Sequence, residues 1–346
     1  MLIVDAHEDI AWNALTYGRD YTRSALWIRE RERGALPPRT NGNTLLGKSE
    51  WLLGHVGVIF ATLFIAPRRH KLGEWDTQCY DDAGEAYRLA GTQLDYYHRL
   101  ADEDERFTLI GAKPDLEEVV STWKPEAALP DRRIGLVPLM EGADPILEPT
   151  QVEEWVERGL RIIGLAWEGT RYAGGTHEPG PITAAGHALL ERMASFGLAL
   201  DLSHLAEEAY FQALDHYEGV VIASHSNPRR FLPTSRGLSD EMIAALAERD
   251  GVMGIVPYNA FLKPGWQKGD RKEDATLIDV VDAIDHVCQV TGNASHVAIG
   301  TDFDGGFGAE HTPAEIDTVA DLLKLADPLA ERGFSPEQIE GVFGGN

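Results

Sequence analysis

Apolar residues gather along the chain into short continuous runs that break abruptly into polar or ionisable residues, and each run is followed by a stretch with helical spacing. Eight runs are present: LIVDAHED from Leu2, VGVIFATLF from Val56, IGLVPLMEG from Ile134, RIIGLAWEG from Arg161, LALDLSH from Leu198, VVIASHS from Val220, GVMGIVPYN from Gly251 and VAIGTDFDG from Val297. Continuous apolar character, in place of strict alternation, marks strands covered on both faces, as in parallel sheets. The spacing predicts amphipathic helices over 184–196, 206–217, 240–250, 277–290 and 313–332, with Gly197, Gly219 and Gly251 placed where helices end. Eight β-then-α units with right-handed crossovers close most simply into an α/β fold of the (β/α)8 TIM-barrel type. An open doubly wound sheet would need a Gly-rich turn after its first strand, and LIVDAHED has none.

Two segments fall outside this repeat. Residues 17–48 are basic, with Arg19, Arg23, Arg29, Arg31, Arg33 and Arg39, and are punctuated by Pro and Gly. They are expected to form a long insertion after the first strand, spanning 17–55 with its flank, as a solvated loop in preference to a lid. Residues 74–105 read as one long helix or a broken pair. No internal repeat or linker divides the remainder, so residues 1–346 are expected to form a single barrel domain.

Composition narrows the function. Hydrophobic residues make up 43% and charged residues 25% of the 346, which is ordinary globular usage. Against 56 acidic residues there are 31 Lys and Arg, a net charge of −25, which argues against nucleic acid or anionic membrane partners. Two cysteines, Cys79 and Cys288, form no CxxC pair and suit a reducing compartment. The opening MLIVDAHED carries too short an apolar run for a signal peptide, and no stretch approaches the roughly 20 residues that span a bilayer. The expectation is a cytoplasmic protein.

Chemistry gathers at the C-terminal ends of the strands, the face on which such a barrel carries its active site. The first strand ends His7-Glu8-Asp9, the third at Glu141, the fifth at His204, the sixth at His225 and the eighth at Asp302-Phe303-Asp304. Residues i and i+2 of a strand share a face, so His7 and Asp9 can chelate one ion together. His204 and His225 come from adjacent strands about 5 Å apart, close enough to share a second, with Glu141 between the two. Two divalent ions carry +4, which Asp9, Glu141, Asp302 and a hydroxide would match. Without metal, three carboxylates in one cleft would raise one another's pKa values. A lone buried histidine is usually a hydrogen-bonded core residue, but that reading does not explain five positions in register on strand ends. It does hold for His55, His70, His98, His187, His216, His286 and His296, while His177 and His311, in loops above the rim, stay undecided.

Other chemistries fit less well. Residues 42–49, GNTLLGKS, match the phosphate-loop pattern GxxxxGK[ST], but the charged, Pro-containing RERERGALPPRTN precedes them where a buried strand is required. Ser203-His204 and Ser224-His225-Ser226 set hydroxyls beside imidazoles, yet there is no GxSxG elbow, and strand neighbours face opposite ways. HExxH is absent.

Together DAHED, MEGAD, LDLSH, ASHSNPR and IGTDFDG resemble the membrane (renal) dipeptidase family, peptidase family M19 of the amidohydrolase superfamily, from Val4 to the C-terminus. The resemblance implies a binuclear zinc hydrolase of dipeptides, bacterial members often accepting a C-terminal D-residue. It implies His7 and Asp9 on the first zinc, His204 and His225 on the second, Glu141 bridging, and Asp302 as the acid/base serving a metal-bridging hydroxide. Asp304 is the fallback for that role. It also implies Arg236 as the holder of the substrate carboxylate, a bidentate task suited to guanidinium, while Tyr258, ending the seventh run, is expected either to line the pocket or contact the reacting carbonyl or to pack in the core or rim. Zinc is the expected metal, two per chain, with other divalent ions as alternatives. Homodimers are common in the family, though no apolar stripe here marks one.

Two departures from the family stand out. Trp167 occupies the end of the fourth strand, where the family has a carbonyl-polarising histidine. An indole N–H donates one hydrogen bond but carries no charge, and losing an oxyanion donor typically costs about a hundred- to a thousandfold in rate. Glu168, Arg171 and His177 are candidate substitutes. The expected substrate is therefore a dipeptide or N-acyl amino acid with a free carboxylate. The alternatives are a non-peptide amide, lactone or ester, or a non-catalytic metal-binding role. The chain also stops at Asn346, where family members continue through a final helix, so a trimmed sequence is expected.

Overall fold

The computed structural model describes residues 1–124 and 127–346. At its centre eight parallel strands form a closed barrel: β1 Ile3–Glu8, β2 Val56–Phe64, β3 Ile134–Glu141, β4 Ile162–Gly164, β5 Ala199–Asp201, β6 Val221–Ala223, β7 Val252–Ile255 and β8 Val297–Ile299. Each strand pairs with the next, and β8 returns to β1 through Asp5 and Ile299. The eight strands fall on the eight apolar runs, and helices lie between them, so the fold is a (β/α)8 barrel. Several strands are only three residues long, and nearly all their side chains are buried between barrel lumen and outer helices. Among the described residues no helix is long and apolar enough to cross a membrane.

Close backbone approach inside the lumen sets one sequence requirement. A Cβ on Gly300, just past β8, would lie 1.8 Å from the Ser224 carbonyl oxygen. Gly300→Ala is therefore expected to destabilise by the overpacking range of about 1–3 kcal/mol or more, read as a lowered denaturant midpoint.

Local chemistry explains where helices depart from the spacing. The long helix of the 74–105 segment is continuous but begins only at Ala83, because Asp82 caps it by accepting from the Glu85 amide at 2.9 Å. The helix expected over 313–332 is shorter: Asp321 accepts from the Asp317 and Thr318 amides at 2.8 and 2.9 Å, so a 3-10 turn starts at Val319 and α-helix follows at Ala326–Arg332. Of the three expected terminating glycines only Gly197 is left-handed, at φ 65°. Beyond Glu248 that conformation falls to Asp250 instead, and the helix before Gly219 ends on the extended Tyr217.

The 17–55 insertion is more than a solvated loop. It holds helices at Ala25–Glu32, Pro37–Thr40 and Lys48–Leu53, and buries Arg19 and Tyr21 completely or nearly so. A second excursion follows β2, where Ala66–Pro67 pairs with Cys79–Tyr80 over the barrel rim. Lys48 of the phosphate-loop match pairs with Asp104 at 2.5 Å, and the Thr44 hydroxyl and Leu45 amide are spent on Asp304.

Candidate active site

The strand ends bring five of the expected ligands together with Asp302. His7, Asp9 and Glu141 offer ligand atoms within 4.8 Å of one another, as do Glu141, His204 and His225, and also His7, His225 and Asp302. Glu141 belongs to two of these triads, with Oε1 3.0 Å from His204 Nε2 and 3.4 Å from His225 Nε2, and Oε2 3.4 Å from His7 Nε2. Glu8 points elsewhere, accepting from the Trp51 indole at 3.0 Å.

Residues beneath the cluster orient it. Thr62 on β2 donates to Asp9 at 2.6 Å. Thr176 lies 2.8 Å from His204 Nδ1, and Ser224 Oγ lies 2.8 Å from His225 Nδ1 while donating onward to Asp201. Because its own proton goes to Asp201, the Ser224 hydroxyl accepts the Nδ1 proton of His225, which leaves the His225 Nε2 lone pair aimed at the centre. Asp201 also accepts from the Ser203 hydroxyl at 2.6 Å, so Ser203 and Ser224 both serve as supports. The Asp-Leu-Ser spacing at the end of β5 was the available signal for this layer.

The site fits cations on its own evidence. Among the described residues the buried His7 Nε2 has no hydrogen-bond partner, and the Nε2 atoms of His204 and His225 stand 3.0 Å apart. Burial raises Asp9 to about 6 and Asp302 well above the usual carboxylate range, helped in each by the charge of Glu141. Burial lowers His204 to about 4 and holds His225 well below the ordinary imidazole value. Burial also opposes the charge on His7 and Glu141, yet their mutual attraction holds His7 up at about 9 and Glu141 well below its ordinary value. Positive charge at the centre of the cluster would relieve the crowded carboxylates and use the idle lone pairs.

The cluster floors a cavity of about 370 Å³. Arg236 and Trp167 line it, along with Trp12, Phe64, Leu72 and Phe261. Arg236 is buried and donates to Ser203 O at 2.9 Å, Ser226 Oγ at 3.1 Å and His225 O. Among the described residues no carboxylate comes within ion-pair distance of it. Tyr258 is not brought into the lining; it stacks on Phe307 with centroids 4.4 Å apart. Of the candidate substitutes for the missing histidine, Arg171 is occupied by Asp144 at 3.2 Å and carbonyls away from the cavity. Glu168 and His177 do line it, joined by a 2.6 Å contact. Asp304, the fallback for Asp302, is fully enclosed by Arg19, Tyr21, Thr44 and the Leu45 amide, and points away from the cavity.

A parallel (β/α)8 barrel with a histidine and carboxylate cluster at the C-terminal rim defines the class of metal-dependent hydrolases. Within that class the chain belongs to the membrane dipeptidase family, peptidase family M19, whose family model matches residues 1–346. It is a metallo-dipeptidase-like hydrolase. Among relatives, dipeptidase aclJ of Aspergillus oryzae is 32% identical over 193 residues, 51% of this chain and 44% of that protein. An uncharacterized protein of the pqqA 5' region of Klebsiella pneumoniae is 31% identical over 214 residues, 59% of this chain and 76% of its own length. The same fold is seen in a metallopeptidase from Rhodobacter sphaeroides liganded with a phosphinate mimic of L-Ala-D-Ala (TM-score 0.79, 21% identity, 99% of this chain and 96% of that one).

Proposed function

We propose that the chain hydrolyses the amide bond of a dipeptide or N-acyl amino acid with the help of two divalent ions, zinc foremost. His7, Asp9 and Glu141 would hold one ion and Glu141, His204 and His225 the other. Bound there, the ions supply Lewis acidity and bring a water's pKa towards neutrality. Asp302, half-buried at the edge of the cluster, takes the proton of the attacking water on its carboxylate and passes it to the leaving amine. Arg236 selects the substrate's terminal carboxylate. The observation that carries this reading is a buried guanidinium without an anionic partner in the same cavity as the shared-glutamate cluster. The L-Ala-D-Ala mimic bound by the Rhodobacter protein supports a D-residue at the C-terminal position.

Metal analysis is expected to find about two divalent ions per chain, and chelation to abolish turnover of a dipeptide panel until metal is restored. Capping the substrate carboxylate as an amide should lower kcat/KM by about a hundredfold or more, since the buried Arg236 then loses its anion. Full activity in metal-free protein would overturn the proposal. Trp167 favours a second reading, a non-peptide amide, lactone or ester as substrate; it is selected if D- and L-dipeptides all fail while such a compound turns over.

A further inference from the structure

We infer that the cavity admits a bulky, uncharged group, aromatic or branched aliphatic, on the N-terminal side of the scissile bond. The inference rests on the hydrolase reading above and adds the class of acyl group. With a carboxylate at Arg236, which hydrogen-bonds residues beyond β5 and β6, the acyl portion must turn to the remaining part of the rim. That part, beyond β1, β2 and β4, presents Trp12, Phe64 and Trp167. Phe64 lies edge-on to Trp167 with centroids 5.0 Å apart and 6.2 Å from Trp12. Trp167 in turn is 6.2 Å from the ring of His204, so this wall starts beside the metal-ligand cluster.

The wall is held in place from behind. Tyr17 and Trp75 pack edgewise on Trp12 at 5.7 and 6.0 Å and stack on each other at 5.4 Å. Outside it, Arg69 of the β2 excursion donates to Gly169 O and Glu178 at 2.7 Å, and His70 reaches Glu178 at 2.9 Å, tying the excursion to the loop after Trp167. Leu72 sits at the lip with 54% of its surface exposed, apolar area that a substrate side chain would cover. Trp12, Phe64, Trp167 and Leu72 are not ionisable, and Glu168, the carboxylate beside Trp167, is already engaged by the His177 ring and amide at 2.6 and 2.8 Å, so a charged side chain seated against the wall would be desolvated without a free partner. Rigid aromatic area favours an apolar group by burial and by ring packing.

The test measures kcat/KM of the zinc-loaded enzyme for X-Ala and X-D-Ala. With X as Phe or Leu the value should exceed that for X as Gly by about ten- to two-hundredfold, with Lys and Asp below Gly. Leu72→Lys, on an exposed side chain whose change cannot unfold the barrel, and Trp167→His should both compress the Phe-to-Gly ratio. In parallel, calorimetry compares phosphinate dipeptide analogues bearing benzyl or hydrogen on the N-terminal side, with the benzyl form expected to bind at least about tenfold tighter. Dipeptides turning over with a flat or charge-preferring profile overturn the inference and leave the hydrolase reading standing. No turnover with benzyl-selective binding overturns the hydrolase reading and leaves the wall's selectivity. No binding of either analogue overturns both.

Discussion

Replacing Asp302 by asparagine is expected to lower kcat by the general acid/base range, about a hundred- to ten-thousandfold, while metal content and thermal midpoint stay near those of the unmodified protein. The side chain does not lie on a strand. It sits in a turn directly after β8, at φ 56°, with its amide donating to His7 O at 2.9 Å. Asparagine tolerates left-handed backbone nearly as well as aspartate, so the substitution removes the proton-accepting oxygen and keeps the turn. Gly305 completes the geometry: a Cβ there would fall 2.1 Å from Asp302 Oδ1 and 2.6 Å from Asp9 Oδ2. The turn thus presses one carboxylate towards another, a conformation of the kind found where strain is retained for function. Asp302 is half-buried and shares one triad with His7 and His225. It therefore has the position for proton transfer between attacking water and leaving amine. Steady-state kinetics beside metal analysis checks this, and an asparagine variant with full activity would remove Asp302 from the mechanism.

What sequence could show here depended on whether a residue's role was set locally. Strands as short as Ile162–Gly164 were legible because double-sided burial demands an apolar run and the rim demands a sudden polar end. His7 and Asp9 were legible for the same reason, as residues two apart where β1 ends at Glu8 and the chain turns into the next helix. Trp12 was within reach, one helical turn past Asp9, but Phe64, Leu72 and Trp167 meet it only because three separate rim segments converge. Tyr258 lies just beyond its strand, which ends at Ile255, and packs on Phe307, a partner no periodicity in the chain foretells. The basic insertion misled most. Arg23, Arg31, Arg33 and Arg39 behave as a run of surface charge should, whereas Arg19 is fully buried against a partner 285 residues away.

That burial sets the largest expected loss of stability. Asp304 Oδ2 accepts from Arg19 Nη1 at 3.0 Å, from the Tyr21 hydroxyl at 2.6 Å and from Thr44 Oγ1, while Oδ1 accepts from the Leu45 amide at 2.9 Å. Arg19 continues to Glu32 and to Gly42 O, and Asn13 and Asn41 both donate to the Asp304 carbonyl. The side chains of Arg19 and Asp304 have no exposed surface. Breaking a buried pair by removing one partner leaves an uncompensated charge, at about 3–5 kcal/mol. Asp304→Ala should fall within that range, because it leaves Arg19 only Glu32 as an anionic partner and strands two hydroxyls and an amide. Arg19→Met should cost less, since the carboxylate keeps three donors. Denaturant midpoints of both variants and of the double mutant read this directly, and the double mutant should lose less than the sum of the singles. Single changes within about 1 kcal/mol of the unmodified protein would show that the insertion is not clamped in this way. The effect should also reach the cluster, because Asn13 bridges the carbonyls of Asp9 and Asp304 at 2.7 and 2.8 Å. A released insertion would loosen Asp9 and Asp302 together, so metal affinity should fall in Asp304→Ala even under conditions where the barrel remains folded.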